Sequence, residues 1–520
     1  MLKAFYTILI LLLSVNIVLA QATKWGDQHN GSYANPILPG DFHDTDVIRV
    51  GPDYYYISAT NELSPGMLIM SSKDLVNWKI VGHAVSDLTQ ISPKYNYDKM
   101  QGASRGIWAG AIRYHDNKFF IYFTDPDEGI FMTSADKIAG PWKPLTQLMK
   151  AAGWDDPCPL WDDNGQAYLV TSNFADNYKI HLFKMSADGE HLNTESDVVI
   201  YQGKGSEANK LYKIKNYYYH FYSEVTPEGR MPFIARATNI AGPYTERKQL
   251  MHKADHEPNQ GGLIQTDKGA WYFVTHHGQA RWDGREASLL PVTWVNDWPV
   301  LGIVGKDGIG EMVWTSRKPS SDPYAVAIQT SDDFNGGKIL SPQWEWYFQS
   351  NDDKWSLTER PGYLRLYSLK ALQPGIITKT RNVLTQRTLR QEQNIATVKF
   401  DIAHMIDGQT TGFTLFGKTA GILGVVQSGN SRKIYFNVAG KTKQGQEIDI
   451  ANVWLRAIWD ANGLAKFYFS TDGVNYDPFG DPYQITNFGN ILGAKIGIFT
   501  SNDVEDGGFV DVDWFHYGVN

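Results

Sequence analysis

The sequence is short of cysteine, of positive charge and of long apolar runs. Its 520 residues include a single cysteine, Cys158, so no intramolecular disulfide can form. The net charge is -8 and no basic stripe runs along the chain, which argues against nucleic-acid binding. After residue 20, no stretch approaches the ~18–20 consecutive apolar residues that span a bilayer. These absences leave a large globular protein, and the length allows two or three domains.

The first 20 residues differ from the rest of the chain. Lys3 precedes an almost wholly apolar run over residues 4–18, and the small residue Ala20 ends it. This pattern predicts a secretory signal peptide over residues 1–20, with Gln21 as the first residue of the mature protein. An uncleaved membrane anchor is the alternative. We therefore expect an exported protein, periplasmic or secreted, without a membrane span after cleavage.

The chain is rich in a repeated pattern of short strands and tight turns. Five segments each begin with a polar or aromatic residue, continue as a short apolar strand, turn, and return as an aromatic-rich strand. A four-strand unit that recurs about every 50 residues is typical of propeller blades. The spacing predicts a five-bladed β-propeller over residues 21–318. Its first strands would line a central channel and bring five landmark residues to one mouth: Asp44, Trp108, Asp156, Glu207 and Gln260.

From about Pro319 the pattern changes. Residues 320–323 are typical of a linker, which we assign to residues 319–330. Beyond it, alternating strands are separated by turns such as Asp472-Gly473, and no convincing long amphipathic helix is present. This pattern of short strands and turns predicts a β-sandwich of the jelly-roll or concanavalin-like type over residues 331–520. The whole chain is therefore predicted to be all-β.

Three of the landmark residues are carboxylic acids. Glycoside hydrolysis needs one carboxylic acid to protonate the leaving oxygen and one carboxylate to activate water or attack carbon. A third carboxylate beside the acid raises its pKa by like-charge repulsion. The alternative for each of the three is a position on the surface without a catalytic role. Neighbouring acids leave further alternatives: Asp46 for Asp44, Asp155 for Asp156, and Glu224 or Glu228 for Glu207.

Several motifs resemble, in the same order, those of glycoside hydrolase family 43. The resemblance covers about residues 35–315, and the C-terminal block resembles the β-sandwich of the β-xylosidase and α-L-arabinofuranosidase members. The motifs lie at residues 35–40, 43–51, 72–78, 155–159, 206–210, 260–262, 284–285 and 290–294.

The resemblance implies an inverting mechanism and a role for each residue of the site. Asp44 is expected to be the general base that activates water, and Glu207 the general acid that protonates the leaving sugar. Asp156 is expected to raise the pKa of Glu207 and to orient it. The residues expected to bind the sugar are Trp108, which forms a wall of the pocket, Arg285, which hydrogen-bonds the terminal sugar, and Gln260.

The chain departs from the family pattern at several positions. Thr45 and Gly110 stand where proline is usual, and Ala208 stands where glycine is common. Asn259 replaces a histidine that often helps to bind an axial calcium or to orient the arginine. Residues 59–62 replace an aromatic that many members place against the sugar. These departures leave the sugar specificity and any axial metal open.

The resemblance implies an exported, exo-acting, inverting glycosidase. It would release α-L-arabinofuranosyl or β-D-xylosyl units from plant polysaccharides or oligosaccharides, with the arabinofuranosyl unit favoured. No cofactor is needed for this chemistry, and a structural calcium in the sandwich is predicted with Asp333 and Asp513 as candidate ligands. One alternative is a non-catalytic carbohydrate-binding propeller. Another is a retaining hydrolase of fructosides, whose Asn-Asp-Pro-Asn motif is absent here.

Overall fold

The computed structural model describes residues 24–254, 259–278, 281–320, 326–489 and 492–519. The predicted signal peptide and residues 321–325 of the predicted linker lie outside these ranges. No helix within these ranges is long and apolar enough to cross a membrane. Nearly all regular structure is strand, which confirms the all-β prediction. The helical segments are three-residue 3-10 turns at Leu88–Gln90, Pro93–Tyr95, Phe174–Asp176, Asp352–Lys354 and Ile377–Lys379.

Each of the five predicted repeats forms one four-stranded antiparallel sheet. The strands of every sheet follow one another in chain order, so each sheet is a simple meander. The first sheet consists of Asp46–Val50, Asp53–Ser58, Gly66–Ser72 and Lys79–Val85, and the second of Gly110–His115, Lys118–Asp125, Gly129–Ala135 and Thr146–Met149. The third consists of Trp154–Trp161, Ala167–Asn173, Lys179–Met185 and Leu192–Gln202, and the fourth of Glu207–Ile214, Tyr217–Thr226, Gly229–Ala237 and Glu246–Gln249. The fifth consists of Gly261–Gln265, Trp271–His277, Glu286–Val295 and Trp298–Leu301.

The first strands of these sheets lie side by side around a channel. The first strand of the third sheet packs against those of the second and fourth, and that of the first sheet packs against those of the second and fifth. Tight turns with positive backbone φ, such as those at Gly51 and Gly165, connect the first two strands of a sheet and keep the starts of the first strands at one end. The propeller fold is thereby confirmed, and the count of five blades stays a prediction.

The N-terminal segment closes the propeller. Ser32–Ala34 pairs with Gly26–Asp27 on one side and with Thr315–Arg317 on the other. The hydroxyl of Tyr33 and the amide of Asn35 both donate to the carbonyl of Leu289 in the fifth sheet, each at 2.9 Å. A two-stranded sheet of Ile303–Val304 and Gly310–Glu311 follows the fifth sheet.

The C-terminal half is a sandwich of two antiparallel-rich sheets, as predicted. A continuous core of buried residues lies between them, with Phe413, Leu423 and Ile498 from one sheet and Val398 and Leu455 from the other. The larger sheet contains, in spatial order, Lys441–Glu447, Ser431–Val438, Ala420–Ser428, Gln409–Phe416, Lys495–Asn502, Leu384–Arg387, Glu345–Tyr347 and Leu63–Ser64, with Leu369–Lys370 beside Lys495–Asn502. The smaller contains Trp355–Ser356, Leu364–Tyr367, Phe509–Val519, Gln393–Asp401, Asn452–Asp460, Leu464–Ser470 and Asp477–Pro478, with Tyr483–Gln484 beside Leu464–Ser470.

The two halves of the chain share a sheet edge and a buried charge network. Leu63–Ser64 of the propeller pairs with Glu345–Tyr347 of the sandwich. The ammonium of Lys495 in the sandwich lies 2.6 Å from the carboxylate of Asp41 in the propeller, and both are buried. Burial opposes the charge of Asp41, but Lys495 and His43 overcome it and hold the pKa of Asp41 well below its ordinary value. The sandwich is therefore part of the support for the segment that carries Asp44.

We expect Lys495→Met to destabilise the whole protein. The change leaves the buried carboxylate of Asp41 without its cation, and breaking a buried pair from one side costs about 3–5 kcal/mol. The urea midpoint of unfolding should fall accordingly, whereas Lys466→Met, at an exposed position in the same domain, should leave it in place. Equal midpoints for the two variants would show that the Asp41–Lys495 pair contributes nothing.

The predicted calcium ligands lie in two separate ion pairs. Asp333 Oδ1 is 2.7 Å from Nε2 of His516, and Asp513 Oδ2 is 2.6 Å from Nζ of Lys399. Within the described ranges, no group of three or more His, Cys, Asp or Glu side chains has the arrangement to hold a metal ion. Asp333 and Asp513 therefore do not form a ligand set, and a structural calcium stays a prediction.

Candidate active site

The five landmark residues meet in one cavity of about 280 Å³ at the mouth of the channel. Each stands at or within two residues of the beginning of the first strand of its sheet. Arg285, which precedes the third strand of the fifth sheet, lines the same cavity. The structure thus brings together all six residues that the sequence predicted for catalysis and sugar binding: Asp44, Trp108, Asp156, Glu207, Gln260 and Arg285.

Two β-bulges aim carboxylates into the cavity. Strand pairing shifts register between Asp155 and Cys158 in the third sheet, and between Glu207 and Lys210 in the fourth. A bulge re-aims side chains at the end of a strand and is common beside active sites. Ala208 has φ +66° within the second bulge, which gives a physical reason for the glycine that the family commonly has there. The N–H of Ala208 donates to Oδ2 of Asp156 and so joins the two bulges.

Asp44 is held by partners from the fifth sheet. Nη2 of Arg285 donates to Asp44 Oδ2 at 2.9 Å, and the backbone N–H of Asp44 donates to Nδ1 of His276 at 2.8 Å. Burial, followed by the nearby Arg285, lowers the pKa of His276 well below its ordinary value, so its ring is neutral and accepts at Nδ1. The alternative Asp46 instead accepts hydrogen bonds from Arg113 and the N–H of Ile112 in the channel wall.

Glu207 has the environment of a general acid. Its Oε1 is 3.3 Å from the amide of Asn259 and 3.2 Å from Nη1 of Arg230. Burial raises the pKa of Glu207 to about 7; Arg230 opposes this rise, and the charges of Asp156 and Asp44 add to it. A carboxyl group with such a pKa carries a proton to donate near neutral pH.

The alternatives to Glu207 lie outside the cavity wall. Glu224 pairs with Arg247 at 2.9 Å and accepts a hydrogen bond from the hydroxyl of Tyr201. Glu228 is exposed in the turn before the third strand of the fourth sheet. Of the three acids that the sequence offered here, only Glu207 is among the residues that line the cavity.

Asp156 is held by a buried chain of hydrogen bonds. The amide of Gln260 donates to Asp156 Oδ1, and the ammonium of Lys210 donates to the amide oxygen of Gln260 at 3.1 Å. Burial raises the pKa of Asp156, while Lys210 and the N–H of Ala208 favour its ionised form. Gln260 lines the cavity, but its amide is engaged with Asp156 and Lys210, so in this structure it positions a carboxylate.

Asp155 lines the cavity together with Asp156. Its Oδ1 accepts from the hydroxyl of Thr124 at 3.2 Å and from the N–H of Asp156 at 2.9 Å. Burial, followed by the charges of Asp156, Glu207 and Asp44, raises the pKa of Asp155 well above its ordinary value. The sequence offered Asp155 only as an alternative to Asp156, whereas the structure places both carboxyl groups in the cavity wall.

Six further residues complete the wall: Asn61, Ala109, Arg230, Asn259, His276 and Gly278. Successive residues of a strand face opposite sides, so of the adjacent His276 and His277 one side chain can point to the channel. His276 lines the cavity, and His277 contacts the hydroxyl of Ser288. Arg230 lies on the third strand of its sheet, for which the landmark pattern of first strands gave no signal.

Trp108 forms one side of the cavity, as predicted. Its indole N–H donates to the carbonyl of Ser104 at 3.0 Å, and the guanidinium of Arg105 lies 5.6 Å from the ring centroid. The ring is therefore anchored by its own loop, which leaves its face available to an apolar surface of a sugar.

We expect Asp156→Asn to shift the pH dependence of activity. The ionised Asp156 raises the pKa of Glu207, so its removal should lower that pKa. If Glu207 is the general acid, as the resemblance implies, it acts in its protonated form and activity falls as the pH rises through its pKa. The alkaline limb of kcat/KM against pH should therefore move by about 1 to lower pH. Asp163→Asn, which removes the same charge in an exposed turn, should leave the limb unmoved, and an unmoved limb in Asp156→Asn would contradict the coupling.

A propeller that holds a protonated acid, a second carboxylate and a pKa-raising carboxylate at its channel mouth defines a glycoside hydrolase. Residues 33–299 match the model of the glycosyl hydrolases family 43, and residues 331–518 match that of the β-xylosidase C-terminal concanavalin A-like domain. The chain is 35% identical to a β-xylosidase of Formosa agariphila over 97% of this chain and 93% of the relative. The chain belongs to glycoside hydrolase family 43.

Two other comparisons agree with this assignment. A non-reducing-end α-L-arabinofuranosidase of Bacteroides ovatus is 31% identical over 69% of this chain and 68% of the relative. The structure of a bifunctional protein described as GH43-CE, from Bacteroides eggerthii, superposes with a TM-score of 0.83 at 28% identity, over 94% of this chain and 64% of that chain. The family resemblance and the enzyme prediction are therefore confirmed.

Proposed function

We propose that the protein is an exo-acting, inverting glycosidase that releases β-D-xylosyl units from plant polysaccharides or oligosaccharides. The observation that carries this proposal is the single cavity that contains Asp44, Asp156 and Glu207. In the proposed mechanism, Glu207 protonates the leaving oxygen and Asp44 takes a proton from the attacking water. Asp156 keeps Glu207 protonated until substrate is bound.

The shape and partners of the cavity support this mechanism. A volume of about 280 Å³ suits a small terminal sugar better than a long internal stretch of polymer. Asp44 and Glu207 are held by different partners, Arg285 and Arg230, on the fifth and fourth sheets. Single displacement by water requires carboxylates on opposite sides of the sugar, about 6.5–9.5 Å apart.

The names of the relatives indicate which of the two candidate sugars to place first. The relative that spans 97% of the chain is named a β-xylosidase, which favours β-D-xylosyl units. The α-L-arabinofuranosyl unit, placed first in the sequence analysis, becomes the second candidate because the B. ovatus relative has that activity in its name. Export to the periplasm or the medium, where such polymers are met, remains part of the proposal.

A panel of nitrophenyl pentosides and hexosides, together with xylotriose, tests the proposal. We expect hydrolysis of the β-D-xyloside above all others and release of xylose from the non-reducing end. Proton NMR of the first sugar released from xylotriose should show the α-anomer, which is the inverted configuration. Release of the β-anomer would contradict inversion, and binding without hydrolysis would favour the non-catalytic alternative.

A further inference from the structure

The outer face of the larger sandwich sheet carries a polar groove far from the landmark residues in sequence. Alternate residues of its strands, such as Phe413, Leu423 and Ile498, enter the core between the two sheets. The residues between them face away from that core. Part of this outer face packs against the propeller, where Tyr347 and Phe416 share a buried cluster with Ile107 and Ile112 of the propeller. The rest of the face is the groove.

Two glycines make the groove deep. Gly412 pairs directly with Gly424 across neighbouring strands, so no side chain rises from this face at that point. A Cβ on Gly424 would lie 2.7 Å from Cε1 of Tyr435, which shows that the phenol ring extends over the glycine. Glycine in the interior of a strand weakens a sheet and often marks a place where a ligand approaches the backbone closely. Here it produces a trough with one aromatic side.

Two adjoining cavities of about 210 and 370 Å³ lie on this face, and Tyr435 is in the wall of the smaller one. They share Thr410, Val426, Gln444 and Asp503 in their walls. Together they have a larger volume than the catalytic cavity of about 280 Å³, so they suit a chain of several small units. The walls of the two cavities continue into the turn that contains Lys379. The ammonium of Lys379 donates to the carbonyl of Met100, a residue of the propeller, at 3.0 Å.

The chemistry of the walls matches a neutral sugar chain. Asn437, Gln444 and Ser501 supply neutral donors and acceptors, while Ile422 and Phe499 supply apolar surface. This mixture suits a ligand that alternates hydroxyl groups with C–H faces.

Two buried polar atoms in the wall of the larger cavity need a partner. In the described part of the chain, Oε1 of Gln427 and Oγ of Ser431 are buried and accept or donate no hydrogen bond. Buried polar atoms normally have a partner, so the wall beside this cavity has hydrogen-bonding capacity that the protein itself does not use. Asp407 and Asp503 face a single Lys433 around this cavity, which disfavours an anionic ligand.

We propose that this groove is a second, non-catalytic site that binds a neutral pentose oligosaccharide. Only the identity of the sugar rests on the proposed function; the groove itself rests on its own walls. A second site on the same polymer would raise the local concentration of chain ends near the catalytic cavity, which is the advantage of two linked sites.

Calorimetric titration of the full-length Glu207→Gln variant with xylohexaose tests the proposal, with arabinohexaose as the second probe. We expect two binding sites for one of these probes, and the loss of one of them when Gln444→Ala is added. Gln444 is exposed, so this change should not affect folding, and Tyr435→Phe offers a second, buried variant that removes only a hydroxyl. Gln484→Ala, at an exposed glutamine of the other sheet, is the matched control.

In the active enzyme, Gln444→Ala should raise KM for soluble xylan by about 10-fold, since it removes one or two hydrogen bonds. It should leave hydrolysis of a nitrophenyl xyloside unchanged. One binding site for both probes, or two sites unaffected by Gln444→Ala and Tyr435→Phe, would overturn the proposal. Two binding sites in a chain that hydrolyses no pentoside would support the groove and count only against the proposed function.

Discussion

Replacement of Glu207 by glutamine is expected to lower kcat/KM for xylo-oligosaccharides by about 10²–10⁴-fold. The loss should depend on the leaving group, because in the proposed mechanism Glu207 gives it a proton. A dinitrophenyl xyloside, whose leaving group departs without protonation, should lose much less activity than xylobiose. The measurement is kcat/KM for both substrates, with the wild type and the variant side by side.

The structure supplies a matched control for this variant. Glu228→Gln makes the same chemical change at an exposed turn of the same sheet and should retain wild-type kinetics with both substrates. A Glu207→Gln variant that hydrolyses xylobiose normally would remove Glu207 from the role of acid. An equal loss with both substrates would mean that the change affects binding or positioning instead of protonation.

Much of the fold could be predicted because its signals are local. Short strands of aromatic and branched residues, separated by turns that tolerate positive φ, indicate meander sheets without knowledge of their packing. The regular interval between Asp44, Trp108, Asp156, Glu207 and Gln260 then implies a ring, because a repeat places equivalent residues at equivalent positions. All five residues do line one cavity in the structure.

The junction between the domains could not be predicted in this way. Leu63–Ser64 lies inside the first repeat but belongs to the edge of a sandwich sheet. The pairing of Asp41 with Lys495 joins residues more than 450 positions apart. Neither contact has a periodic signal, because each depends on how two finished domains meet.

Within the site, residues that were not predicted as catalytic or sugar-binding hold the ones that were. Arg230 and Asn259 hold Glu207, while His276 accepts from the N–H of Asp44. Whether a residue contacts the site in this way depends on its position in the folded protein. Nothing in the sequence around an arginine on the third strand of a sheet indicates this role. The contact of the Gln260 amide with Asp156 had no signal in the sequence for the same reason, and a role for Gln260 in sugar binding stays a prediction.

Replacement of Asp44 by asparagine is expected to lower kcat by about 10²–10⁴-fold for every substrate, whatever its leaving group. Activation of water is needed in each case, and an asparagine amide cannot accept the proton. The backbone should tolerate the change, since Asp44 has φ +51° and asparagine adopts this region readily. Kinetics with xylobiose and the dinitrophenyl xyloside should therefore show similar losses, in contrast to Glu207→Gln.

Asp116→Asn is the control for this last variant. Asp116 also has a positive φ, at +46°, but it lies in an exposed turn at the far end of its sheet's first strand, so activity and stability should not change. Arg285 hydrogen-bonds Asp44 and would bind an asparagine oxygen in the same place, so Asp44→Asn should keep the cavity intact. An Asp44→Asn variant that loses activity only with poor leaving groups would assign Asp44 to proton donation and would require the acid and base to be exchanged.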